Sequence, residues 1–173
     1  MDARARGACA AVLVLGACAP SLDWREIRAG GGAAAVMLPC KPNLATRSVQ
    51  LAGQPARMSM LSCKAGELSW SLATADLGDP TRVGPALKAL PESIRANIGG
   101  ETVESRPARV RGATPHEAQV RVVVRGRRQD GAPIAAQVVV FSYGTQVFQA
   151  VVMGERVPEE AAAVFFDSLH AGS

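Results

Sequence analysis

The chain has 173 residues, of which 48 % are apolar and 20 % charged, with a formal net charge of +4. That length suits one domain with a real core, and the ordinary charged fraction excludes a disordered, collagenous or disulfide-knotted chain. Aromatic residues make up only 4 %, so the core must rest on alanine and β-branched side chains, and no run of ~20 apolar residues supplies a membrane-spanning helix.

The N-terminus opens with Arg4 and Arg6, continues as an uncharged run of 11 residues from Gly7 to Ala17, and reaches Cys18. Such a run is a signal-peptide core and is too short to cross a bilayer as a helix. Leu15-Gly16-Ala17-Cys18 resembles the lipobox of bacterial lipoproteins: an aliphatic residue, two small residues, then cysteine. The resemblance implies cleavage before Cys18, a diacylglycerol on its sulfur and acylation of the new amine. Small residues at 16 and 17 give a peptidase access to the backbone, and a thiolate is the nucleophile that takes the lipid. By the same family rule, Ala19 after the cysteine, rather than aspartate, implies export to the periplasmic face of the bacterial outer membrane. The alternatives at residue level are an ordinary signal peptide with an incidental cysteine, or a buried first strand. The expected organisation is a signal peptide over 1–17, a lipidated tether over 18–23 and one domain over 24–170, with the lipid bilayer as partner through acylated Cys18.

With Cys9 removed and Cys18 acylated, Cys40 and Cys63 remain, and an even remainder in an exported domain favours a disulfide. Residues 45–51 and 55–62 read as a hairpin turning at Ala52-Gly53, which places position 43 opposite 63 and brings the two cysteines within reach. Two separate buried thiols are the alternative. No second Cys or His pair stands at ligand spacing and no Cys-x-x-Cys occurs, so neither a metal nor a redox site is expected.

Along the body, Trp24–Ile27 is a short strand, Gly30-Gly31-Gly32 a turn and Ala34–Leu38 an apolar strand closed by Pro39 and Pro42. In the hairpin, Val49 and Leu51 alternate with Ser48 and Gln50, and Met58, Met60 and Ser62 with Ser59 and Leu61. Glu67–Ala75 is a strand with Leu68, Trp70 and Leu72 on one face. Residues 82–98 carry Val83, Leu87, Leu90, Ile94 and Ile98 at helical spacing, with Pro91 as a kink or the start of a second helix. Strands follow over 102–111, 117–126, 134–143 and 145–153, the middle two joined by an Asp130-Gly131 loop. Pro158–Leu169 is a closing helix with Glu159 and Glu160 in its first turn.

This order predicts an α+β domain: an antiparallel sheet with one mid-chain helix and one C-terminal helix packed on it. An apolar strand ending Leu38-Pro39-Cys40-Lys41-Pro42, a mid-chain amphipathic helix, three later strands and a helix ending Phe165-Phe166-Asp167-Ser168-Leu169 together resemble the PsbP-like α/β/α sandwich group over residues 24–170. Cys40 stands where that group has glycine. The group holds photosystem assembly subunits and bacterial lipoproteins of unassigned role, so the resemblance implies a fold rather than an activity.

Candidates for chemistry are few. His116 falls in a Pro115 turn and His170 beyond the last helix, neither at a recognisable spacing from a Ser or Cys partner. Asp76 and Asp79 flank the loop before the helix; they read as a helix cap near Asp79-Pro80, with a carboxylate pair or an anion-repelling site as the alternatives. Trp24 and Trp70 read as packing residues. Seven of the 16 arginines fall between Arg106 and Arg128, against Glu117 alone. Arg121 and Arg125 share a strand face opposite Val120, Val122 and Val124, and Arg127 and Arg128 follow. On an otherwise solvated face this is a soluble edge or a contact for anionic lipid or an acidic envelope partner; no nucleic acid is expected, since no aromatics interleave the arginines. No catalytic residue, metal or cofactor is assigned. The expected role is a non-catalytic binding or accessory module of the cell envelope, supported by an open apolar groove without a titratable cluster. The alternative is a small envelope hydrolase, supported by a cleft with two perturbed acids.

Overall fold

The computed structural model describes residues 22–172; the expected signal peptide, the expected acylation site Cys18 and residues 18–21 of the expected tether lie outside the described residues. The chain starts with β1 (Arg25–Ala29), whose backbone is continued into β2 (Ala34–Leu38) by the three glycines. Gly30 has φ of 61°, and a Cβ there would lie 2.2 Å from Gln146 Oε1 and 3.1 Å from the Phe148 ring, so only glycine fits the turn. The antiparallel pair β1–β2 is completed by β10 (His170–Ala171), a two-residue strand returning from the C-terminus.

The second sheet is built from hairpins. β3 (Asn43–Leu51) and β4 (Gln54–Ala65) meet through Ala52 and Gly53, both at positive φ, the two-residue turn that suits strand twist. The turn pairs Leu51 with Gln54, so Asn43 faces Ser62 rather than 63. β5 (Leu68–Asp76) pairs with β4, and β6 (Glu101–Pro107), β7 (Val120–Arg127), β8 (Pro133–Tyr143) and β9 (Gln146–Gly154) complete seven antiparallel strands in the order β3-β4-β5-β9-β8-β7-β6. The two edge strands differ. β6 is exposed throughout, carries a register shift between Thr102 and Glu104 and ends in Pro107, whereas β3 is regular over nine residues.

α1 (Val83–Asn97) and α2 (Glu159–Asp167) lie on opposite faces of the seven-stranded sheet. α1 runs unbroken through Pro91, so the proline neither splits it nor starts a second helix. It buries Val83, Ala86, Leu87 and Leu90 on Val122, Val124, Val138, Val140 and Val151. On the other face, Trp70, Leu72, Phe141, Phe148 and Val152 meet Phe165 and Phe166 of α2 and Val36 and Leu38 of β2. The protein is therefore α+β, with one mid-chain and one C-terminal helix and two antiparallel sheets. Two small cores on either side of one sheet explain how few aromatics suffice: every buried ring among the described residues lies on the α2 side, and the buried valines of β7, Val122 and Val124, lie on the α1 side.

The expected solvated face around Arg121 is corrected by this packing. α2 and the small sheet cover that face, because alternate residues of β5, β8 and β9 are apolar on both sides. No helix among the described residues is long and apolar enough to cross a membrane.

Candidate functional site

A groove of about 510 Å³ opens on the α1 side of the large sheet. Its origin is the path of α1. The helix begins beside β3, where Pro85 and Ala86 approach Leu51, and ends over β7, where the Ile98 carbonyl lies 2.4 Å from a Cβ placed on Gly126. This diagonal crossing leaves β4, β5 and one side of β9 uncovered. Met58, Met60, Val151 and Met153 point into the gap from the strands, and Leu90 and Ile94 wall it from the helix. Register brings these side chains together: Met60 pairs with Ala73, Ala73 with Gln149, and Ser71 with both Ser62 and Val151. Ser62, Ser69 and Ser71 add small hydroxyls to the floor, and Gln149 is occupied by donating from Nε2 to the Leu90 carbonyl at 2.7 Å.

Among the described residues, Arg47 is the only charged one lining the groove. It sits on β3 directly opposite Met58, is exposed, and is in none of the ion pairs among the described residues. The rest of the lining is made of thioethers, aliphatic side chains, the Trp70 ring, serine hydroxyls and the amides of Gln50, Asn97 and Gln149.

Cys40 and Cys63 are joined as a disulfide, with Cα atoms 6.0 Å apart. The one-residue difference in hairpin register does not matter to it, because Cys40 lies beyond the paired strand. The bond ties the β2–β3 corner to the end of β4. Asp23 N donates to the Pro39 carbonyl at 3.0 Å, so the start of the described chain lies at the same corner.

The four arginines expected to act together are separated. Arg121 donates from Nη2 to Gln137 Oε1 at 2.6 Å and to Glu159 Oε1 at 2.9 Å, and its guanidinium lies 4.7 Å from the Phe166 ring centre. It fastens α2 to the sheet. Arg125 faces Glu101 across the β6 pairing and borders a hollow of about 500 Å³ that also holds Glu104, Glu155 and Glu159. Arg127, the last residue of β7, and Arg128, the first of the β7–β8 loop, are exposed, Arg127 donating to the Gly131 carbonyl at 3.0 Å.

The remaining candidates have local structural roles. Asp76 accepts from the Gly78 N–H and the Thr145 hydroxyl, and these bonds, the backbone one first, hold its carboxyl below the usual carboxylate range. Asp79 caps the turn Pro80–Arg82 by accepting from the Thr81 hydroxyl and N–H, which lower its pKa likewise. His116 Nδ1 accepts from Ala118 N at 3.0 Å within its own turn, and His170 Nδ1 lies 3.0 Å from the Ser168 carbonyl. Trp70 is buried, edge-on to both Trp24 and Phe165. Among the described residues no group of three His, Cys, Asp or Glu side chains could hold a metal.

Alternation marks Met58 and Met60 as one strand face. That Met153 and Ile94 join them depends on β9 pairing beside β5 and on the slant of α1, neither of which local periodicity encodes. No family model matches the chain, and no curated protein matches it.

Proposed function

We propose that the protein is a bacterial lipoprotein, anchored through acylated Cys18 at the periplasmic face of the outer membrane, whose single domain acts by binding rather than by catalysis. The observation that carries the binding role is the methionine-lined groove beside α1, which has one cation and no acid or histidine in its lining. Its volume of about 510 Å³ falls in the range of small-molecule sites. The anchoring rests on the basic start, the 11-residue apolar run and Leu15-Gly16-Ala17-Cys18. The disulfide suits an oxidising compartment. Asp76 and Asp79, the carboxylates nearest to a pair, are engaged in turn-forming bonds at a distance from the groove, which favours the binding module over a hydrolase.

Growth of cells on isotopically labelled palmitate tests the anchor. Label enters the purified protein, mass spectrometry places the mature N-terminus at Cys18, and Cys18→Ser abolishes incorporation. Label that persists in Cys18→Ser, or none in the unmodified chain, rejects it.

A further inference from the structure

We propose that the groove takes a single aliphatic chain ending in a carboxylate, with the carboxylate received by Arg47; this deepens the reading of the groove as the binding site. The lining runs along β4 from Met58 to Ser62, a span of about 13 Å at ~3.3 Å per residue, long enough to lay down an extended alkyl segment. Methionine is unbranched and polarizable, and Met58, Met60 and Met153 are each half-buried, able to close around a chain of variable shape. An alkyl chain has no polar group to satisfy there. An extended peptide in the same place would set part of its N–H and C=O groups against Met58, Met60, Leu90, Ile94 and Met153, a cost an alkyl chain avoids.

Charge decides the end group. No acid lines the groove, and Arg47 stands on its β3 wall with its fork of donors unengaged by any carboxylate. A guanidinium matches a carboxylate bidentately, and Arg47 lies on the same face as the methionines through its pairing with Met58. Orientation agrees with the source of such molecules. The gap left by α1 widens toward Ser62, Ser69 and Met153, the end of the sheet that also carries Cys63 and, through Cys40, the start of the described chain. An anchored domain therefore opens its groove near the bilayer.

The test uses the full chain purified from membranes into lipid nanodiscs, with a diazirine-bearing palmitic acid as probe and the alcohol of the same chain length as its neutral counterpart. Irradiation is expected to place the acid on peptides spanning Met58–Ser62 and Val151–Met153, in competition with unlabelled palmitate. Arg47→Gln is expected to reduce that labelling several-fold, to the level of the alcohol probe. Met60→Trp or, should that variant melt early, Ser71→Leu is expected to block it. No light-dependent adduct on those peptides, or equal labelling by acid and alcohol, overturns the proposal. The acyl mass on the Cys18 peptide is read before irradiation, so loss of the anchor and loss of groove labelling are scored separately.

Discussion

Arg121 shows how a charge that looks available in sequence becomes part of the scaffold. Its side chain is 13 % exposed against 65 % for Glu159, and Gln137 links the two by accepting from Arg121 and donating to Glu159 Oε2 at 3.1 Å. The guanidinium also rests on Phe166. Removing it leaves Gln137, 6 % exposed, without a donor and uncovers the ring. Arg121→Ala is expected to lower unfolding stability by about 1–3 kcal/mol, from one charge-assisted hydrogen bond and a cation–π contact. Glu159→Gln should cost less, since that carboxylate is mostly in water and keeps an amide acceptor. Urea denaturation of the two variants checks the order; equal effects would mean that the ion pair, not the buried half of the network, carries the energy. The count of arginines between 106 and 128 gives no sign of this, because the partners come from elsewhere: Glu159 from α2, and Glu101 facing Arg125 from β6.

At the scale of elements, the disulfide adds a side-chain cross-link to the backbone connection between the two sheets, joining the corner after β2 to β4. Its two cysteines are 23 residues apart, and the chain-entropy estimate for closing such a loop is about 3 kcal/mol. Reduction, or replacement of Cys40 and Cys63 by alanine, is expected to lower the urea midpoint by a corresponding amount while leaving the far-ultraviolet circular dichroism of the folded baseline unchanged, because β3–β4 pairing and both cores remain. A folded baseline that loses strand signal would show that the small sheet depends on the bond. Most elements are legible from local pattern: β2 coincides with its expected span, and the strands from β3 to β9 differ only at their ends, since alternation and turn residues act over a few positions. What local pattern misses is set by distant partners. β10 is two residues long and exists only because β2 offers an edge. β6 stops at Pro107 rather than running to 111, since the proline lacks a donor. α1 tolerates Pro91 because Val83–Leu90 and Ile98 are already held on the valines of the sheet. The groove itself follows from the angle of that helix.

For the whole molecule, the pairing registers place the β2–β3 corner, the β4–β5 turn, the end of β9 and the β7–β8 loop at one end of the large sheet. This end also holds residue 23 through its bond to Pro39, so the anchoring proposed at Cys18 would present it to the bilayer. Lys41 and Lys64 flank the disulfide there, and Arg127 and Arg128 stand where β7 enters the β7–β8 loop, all exposed. β4 and β7 are four strand positions apart, about 19 Å at ~4.8 Å per strand, so the two basic pairs form separate feet rather than one patch. Glu67, Asp130 and Glu155 lie at the same end and reduce the net charge. Each basic side chain near an anionic surface contributes about 1 kcal/mol at most, and at moderate salt pairs this far apart act independently. For the domain released from its anchor, Arg125→Gln, Arg127→Gln and Arg128→Gln together are therefore expected to weaken sedimentation with anionic vesicles about tenfold, less than three full contributions, since Arg125 faces acids of β6 and α2. Binding to zwitterionic vesicles should be weak with or without the substitutions, and added salt should erase the difference. Anionic-vesicle binding that is unchanged in the triple variant would remove the β7–β8 loop from the proposed membrane-facing surface and leave the contact to other basic side chains of that end, among them Lys41, Lys64 and Arg156.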